Sequence, residues 1–319
     1  MKKLCAAALF ILFFAGKTFA GNSPIETGIM PFCDMDNGNG KSDALLGQLT
    51  DVLSQYSFFL LVERSRIEGA ANEIFFDTAC VLDDAAAVKA ARLLGLKLII
   101  TGTVSKYKIS ARAILTDTGK TISSCSIASQ MGLESLGKRI ATDVEAYMAG
   151  ENLAKVSNES PAINFEFWIE KGDRSEISSR GAVHIGETLV YNFRSSDDGY
   201  VTIIEVQPGG DVVLLFPNEA TTNNKISKKQ IYSLPSEENT FKVTVAEPPG
   251  TDIVAAFFTK KRIEWLGRNM LIGSGFLSVR EDEKLAATSG LFATAAKLKN
   301  TDWESRIIEL DVQRLGKTE

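Results

Sequence analysis

The hydrophobic periodicity of this 319-residue chain changes character once, and that change limits what it can fold into. Up to about Gly150, short apolar runs of strand type alternate with segments whose apolar residues recur at helical spacing. Beyond Pro161, apolar and polar residues alternate with a period of two, as on a half-buried sheet. One layer cannot serve both patterns. The sequence therefore predicts an α/β mixed-sheet N-terminal domain followed by a mainly antiparallel β domain with one packed helix.

In the first half, Thr27 to Cys33, Phe58 to Val62, Leu98 to Val104, Ile109 to Leu115 and Thr121 to Ile127 read as strands. Helical spacing follows Ser42, the expected N-cap, with Leu45, Leu46, Leu49, Val52 and Leu53. It returns in an alanine-rich segment opened by Asp83 and Asp84 and stopped by Gly95, and again from Leu133 to Met148. Asp117-Thr118-Gly119-Lys120 reads as a hairpin turn. Residues 151–161, polar and ending in Asn158, Glu159, Ser160 and Pro161, are the expected linker between a domain at 21–150 and one at 162–319. In the second half, Phe165, Phe167 and Ile169 alternate with Glu166 and Glu170, and Leu189, Tyr191 and Phe193 alternate with Val190, Asn192 and Arg194. Further strands are expected at Tyr200 to Val206, Val212 to Phe216, Phe241 to Val245, Ile253 to Phe258 and around Ile308 to Val312, with a helix from Glu283 to Leu298.

Residues 1–20 have the form of a secretory signal peptide: Lys2 and Lys3, an apolar stretch from Leu4 to Gly16, then Thr18-Phe19-Ala20 before the expected cut. The stretch is shorter than the roughly 20 residues that cross a bilayer. Position 21 is Gly, so no lipidation cysteine stands at the start of the mature chain, and a periplasmic or otherwise exported protein is expected. Losing Lys2, Lys3 and Lys17 takes the formal charge from −5 to −8, which leaves no broad basic footprint for nucleic acid. Cys33, Cys80 and Cys125 remain in a compartment that permits disulfides. The expected topology brings Cys33 and Cys80 toward the same sheet edge and makes them the favoured pair, with three reduced, buried thiols as the alternative.

Chemistry-bearing motifs are sparse. Gly38-Asn-Gly-Lys-Ser42 lies between a strand and a helix, where a phosphate loop would sit, but Met35 stands where its first glycine is needed and Asp34 and Asp36 would repel phosphate. Asp34-x-Asp36-x-Gly38 starts like a calcium loop, yet Gly38, Asn39 and Leu45 occupy its fifth, sixth and twelfth places. The acids at 83–84 and 281–283 stand at helix starts, where negative charge complements the dipole. His184, the one histidine, enters a strand with no nucleophile in a recognisable elbow. The reading assigns no catalytic residue, cofactor or metal. Tyr200, Phe216, Pro217 and Asn218, in Asp-Gly-Tyr and Phe-Pro-Asn segments at strand ends, form the candidate ligand or partner surface.

Two resemblances accompany these residues. Gly28-Ile-Met-Pro-Phe32, the leucine-rich helix, Phe59-Leu-Leu-Val-Glu-Arg-Ser65, the helix ending Leu94-Gly95, and Leu98-Ile-Ile-Thr-Gly-Thr-Val104 resemble the curli assembly component CsgG family over about residues 25–150. The same core resembles the periplasmic domain of outer-membrane activators of peptidoglycan synthases. Gly186-Glu187-Thr188-Leu189, Asp198-Gly199-Tyr200, the turn at 208–210 and Leu214-Leu215-Phe216-Pro217-Asn218 resemble an envelope-associated domain family of unknown function over roughly 162–315. The chain lacks the long amphipathic hairpins of a membrane pore. These resemblances imply a non-catalytic envelope adaptor or assembly and secretion accessory factor, acting on an envelope protein partner or through self-association. The alternatives are an allosteric activator of a peptidoglycan synthase, a glycan- or peptide-binding module, or a hydrolase. A ring built through the 41–56 and 83–94 helices is implied by the first family alone. Intact-mass and peptide mapping of the exported protein should give a chain starting at Gly21 with Cys33 joined to Cys80; finding both thiols free would end the pairing.

Overall fold

The computed structural model describes residues 23–36, 41–63, 65–67, 84–128, 132–238 and 241–315. The expected leader, Cys80, Asp83 and residues 37–40 lie outside them.

The first module is built on a sheet of β1 (Ile25–Ile29), β2 (Phe59–Leu61), β3 (Leu98–Val104), β4 (Lys108–Leu115) and β5 (Thr121–Ala128), in the order β2-β1-β3-β4-β5. β1 is parallel to β2 and β3, whereas β3, β4 and β5 are antiparallel, so the sheet is mixed as expected. Cys33–Asp34 adds a short parallel bridge to β3. β3 reads as a nearly continuous apolar run because both of its faces are covered. Leu98 and Ile100 pack under α1 (Lys41–Leu53), and Ile99 packs under α2 (Asp84–Leu93). α1 begins at Lys41, which puts Ser42 inside the first turn and not at the cap. α2 stops as expected at Gly95, whose φ of +74° suits glycine. Gly102 is required by contact: a Cβ there would meet the Ser110 carbonyl oxygen at 2.0 Å.

α3 (Leu133–Ala154) runs beyond the Met148 expected for its end and takes in the first residues of the expected linker. Its 22 residues span about 33 Å. Leu136, Ile140, Ala141 and Val144 enter the first module's core, and Ala149 and Leu153 enter a core in the second. Continuing the helix is favoured because stopping it at Met148 would leave those last apolar residues without their burial. The residues after it are fastened too. Val156 is buried, and Asn158 Nδ2 donates to the carbonyl oxygens of Asn300 and Trp303 at 2.9 and 2.7 Å.

The second module is a two-sheet β unit backed by a helix. One sheet pairs β6 (Phe165–Lys171) with β8 (Thr188–Ser195), flanked by short bridges at Glu176–Ile177, Tyr232–Leu234 and Val243–Thr244. The other contains β7 (Gly181–His184), β9 (Gly199–Val206), β10 (Val212–Phe216), β11 (Gly250–Thr259), β12 (Leu277–Val279) and β13 (Trp303–Gln313), in the order β12-β10-β9-β11-β13-β7. All of these pairs are antiparallel except β13 with β7. The period of two does what it predicts: Phe165, Phe167, Ile169, Leu189, Tyr191 and Phe193 face Val201, Ile203, Val254, Ala256 and Phe258 across the inter-sheet core. The strand expected from Phe241 to Val245 is reduced to Val243–Thr244, with Val245 still bonded through its backbone to Gly186 and Glu187. The outer face of the larger sheet is covered by α4 (Lys284–Ala295), slightly shorter than expected, together with the end of α3. The acids at 281–283 form a single 3-10 turn before α4.

Among the described residues no helix is long and apolar enough to cross a membrane. Cys33 is disulfide-bonded, and Cys125 is free, with burial pushing its thiol up from the ordinary value. Because α3 is buried in two cores, Ile140→Ala and Leu153→Ala should each cost about 2–5 kcal/mol and lower the same urea transition. Separate transitions, each moved by only one of the substitutions, would show that the helix does not couple the modules.

Candidate functional site

Strand parity, broken by a β-bulge opposite Ile203 and Ile204, decides where the expected surface residues go. Phe216 turns toward the inter-sheet core, is 5% exposed, and packs its ring 5.5 Å from that of Phe193. Tyr200, half-buried, pairs with Thr259 and Lys225 along β9. Pro217 and Asn218 instead reach the opposite face of the sheet, where the loop after β10 and residues 262–271 enclose a cleft of about 670 Å³. The structure thus brings two of the four together at a cavity and leaves Tyr200 and Phe216 away from its walls.

Leu214, Leu266, Leu277 and Trp265 give the cleft an apolar floor. Trp265 is locked in place by stacking on Phe257 at 4.4 Å and by Trp303 at 6.1 Å. The rim carries both signs of charge. Arg268 lies 3.7 Å from Glu264, and the Glu219 carboxylate accepts the Gly275 N–H at 2.8 Å. Arg262 is exposed on the rim and has no carboxylate partner among the described residues. The amides are structural: Asn218 Nδ2 donates to the Leu215 carbonyl at 2.9 Å while its Oδ1 accepts the Thr221 N–H at 2.8 Å, and Asn224 Nδ2 donates to the Val201 carbonyl at 2.9 Å. These bonds hold the 217–224 loop in the shape that forms one wall.

A second cavity, about 360 Å³, opens at one end of the inter-sheet space and is lined by Tyr191, Glu205 and Asp252. Glu205 and Asp252 are 5% and 7% exposed and line this cavity side by side from neighbouring strands. Burial pushes both carboxyls up from their ordinary values, and for Asp252 the neighbouring Glu205 charge adds to it. Sequence reading passed over this pair. Its signal was parity: Glu205 occupies an inward position with Val201 and Ile203, and Asp252 one with Val254 and Ala256.

The other motifs resolve into local structure. Asp34 Oδ1 accepts the Asp36 N–H at 2.9 Å, and Asp36 accepts the Lys106 N–H, so both acids are engaged in a turn contact. The His184 ring stands 3.7 Å from Glu187, whose carboxylate also takes the His184 backbone N–H at 2.8 Å.

Comparison with known proteins identifies a family described as Domain of unknown function (DUF4384), matching residues 182–262. This span contains β8, β9, β10, the loop wall of the cleft after β10, and both Glu205 and Asp252, while the wall from Ile263 to Leu271 lies beyond it. Among solved structures, the LpoB C-terminal domain from Salmonella enterica is 17% identical, with 35% of this chain and 87% of that chain covered at a TM-score of 0.29. Lipoprotein GNA1162 from Neisseria meningitidis is 17% identical, covering 40% and 99% at 0.27. A point variant of the PelC dodecamer from Paraburkholderia phytofirmans is 10% identical, covering 39% and 91% at 0.24. No curated protein sequence matches the chain. Asn218→Ala should destabilise the cleft wall by about 1–3 kcal/mol, because the buried Leu215 carbonyl loses its side-chain donor and the Thr221 N–H keeps only the Asn218 backbone carbonyl; equilibrium unfolding would measure it.

Proposed function

We propose that this chain is a non-catalytic exported envelope protein that acts as an adaptor or as an assembly and secretion accessory factor through protein binding, and that the cleft beside Pro217 and Asn218 receives a segment of its partner. The observation that carries the reading is the make-up of that cleft: an apolar floor anchored by Trp265 under a rim where Arg262 is exposed and free of a carboxylate partner among the described residues. Burying the floor supplies non-directional affinity. Tryptophan and arginine in such a setting are the residue types that dominate binding energy at protein interfaces, because each combines a large contact area with a fixed polar group. Glu219 and Glu264 on the same rim favour a segment carrying both signs of charge over a uniformly acidic or basic one.

The first module supplies the platform. α3 ties it to the second module, so a partner held in the cleft also stands in a set relation to the sheet of the first.

The test is in-cell crosslinking in the native envelope with a photoreactive residue at Thr222, which is exposed on the cleft rim. The reading expects a discrete envelope partner, reduced about tenfold or more by Arg262→Glu, since 1.4 kcal/mol is a factor of ten in affinity. A secretion-channel subunit would identify an assembly role, and a peptidoglycan synthase the activator role. An adduct that Arg262→Glu leaves unchanged, or only self-crosslinks, would overturn the cleft as the partner site.

A further inference from the structure

The inter-sheet space of the second module should be apolar throughout, yet one end of it holds two acids. Glu205 on β9 and Asp252 on β11 lie on neighbouring antiparallel strands, with Glu205 opposite Val254, so their side chains share a face. Carboxylate oxygens are acceptors only, so two carboxyls facing one buried cavity meet without repulsion only if a proton lies between them. Gln207 Nε2 donates to Glu205 at 3.0 Å, and the Tyr191 hydroxyl, from the facing sheet, stands 3.5 Å from it. Asp252 Oδ1 is buried and has no hydrogen-bond partner.

The wall between this pair and solvent is the edge segment 242–247. Its ladder to β8 consists of two residue pairs, Thr188 with Thr244 and Leu189 with Val243, extended by backbone bonds of Val245 with Gly186 and Glu187. β9 and β11, which carry the acids, are paired from Tyr200 to Val206, and β11 is paired with β13 from Gly250 to Thr259. The acid-bearing strands are therefore the firm side of the cavity, and the edge segment is the weak side.

We propose that Glu205 and Asp252 form a proton-operated latch: while they share one proton the 242–247 segment stays closed on β8, and when that proton is lost the segment lifts and opens the end of the inter-sheet space. Two negative charges on one face of a buried cavity are mutually repulsive, and only water or a counter-charge relieves them. The charged groups around the pair do not supply one. Asp211 is paired with Lys284 at 2.9 Å, Glu247 is paired with Arg314 at 3.2 Å, and Lys242 is exposed. Tyr191 is a neutral donor, held so by burial and by the two acids. Water is thus the available relief, and it enters where the ladder is shortest.

The direction follows from linkage. A carboxyl whose folded value is raised binds its proton more tightly folded than unfolded, so the closed form is favoured below the raised value and loses that advantage as pH climbs toward it. Opening exposes Leu189 and Val245, now buried, beside the Phe241–Phe276 ring pair, whose centroids are 5.4 Å apart. It creates a hydrophobic surface distinct from the cleft at Trp265.

Hydrogen exchange of the full mature chain, corrected for intrinsic exchange, tests the latch between about pH 5 and pH 9. Peptides covering 241–247 and the start of β8 should lose protection by about tenfold or more with rising pH, while β13 peptides stay unchanged. Asp252→Asn keeps a donor toward Glu205 without a proton to lose, and should stay protected throughout. Wild-type protection that is flat or rises with pH, or an Asp252→Asn variant that opens as the wild type does, would overturn the proposal. If that variant does not fold, Glu205→Gln makes the same comparison. If both fail, a carboxyl carbon NMR titration of the wild type decides: the pair must retain one proton above the ordinary carboxylate range.

Discussion

The burial of one helix in two cores is the constraint on which the rest of the structure depends. α3 puts Leu136, Ile140 and Val144 against the α/β sheet and α1, and Ala149 and Leu153 against the larger β-sheet and α4. Close approach on both sides is made by small residues. Gly137 lies where a Cβ would be 2.5 Å from Val52, and Gly150 where one would be 2.8 Å from Ile253. Asn152 adds a polar contact to Thr288 on α4 at 3.3 Å. A helix of about 33 Å gripped at both ends acts as a strut. The two modules therefore have a common interior element where a flexible connector would have let them move independently.

With that strut in place, the second module can carry features that a minimal sandwich would avoid. The inter-sheet core is dominated by aromatic and aliphatic side chains, with Phe165, Tyr191, Phe193 and Phe258 among the most buried. Against that background the Glu205–Asp252 pair is costly, because buried carboxyls lose hydration that one hydrogen bond does not fully replace. The pair sits at the end of the sandwich where pairing is shortest. On the opposite face of the larger sheet, the cleft at Trp265 depends on a different kind of support: amide side chains of Asn218 and Asn224 that satisfy backbone groups of an otherwise irregular loop. One face of the sheet thus borders the cavity that holds the two acids and the other the cleft at Trp265, with β9 and β10 common to both walls.

Much of the fold was legible because the signals are local. Val212 to Phe216 is a strand with those bounds, the Leu98 to Val104 run is a doubly covered strand, and Gly95 ends its helix. The failures share a cause. α3 passes Met148 because burial beyond the first module extends it, and no window of the first module's sequence contains that information. Phe216 is expected at a surface because it ends a strand, and parity with Leu214 would put it on the cleft side, but the bulge opposite Ile203 and Ile204 turns it into the inter-sheet core. The loop wall formed by Arg262, Trp265 and Arg268 carries no motif at all, since irregular segments have no period to read.

By itself the sequence determined two modules of different period, the order of their strands and helices, and which side chains point to the same face of each strand, because helical and pleated repeats are properties of neighbouring residues. The tertiary structure decided everything that depends on separation along the chain. It brought Glu205 to Asp252 through the register of two strands, joined Pro217 to Trp265 across a cleft, and gave one helix to two cores. Those juxtapositions arise from strand pairing and packing between distant segments, and no local pattern encodes them.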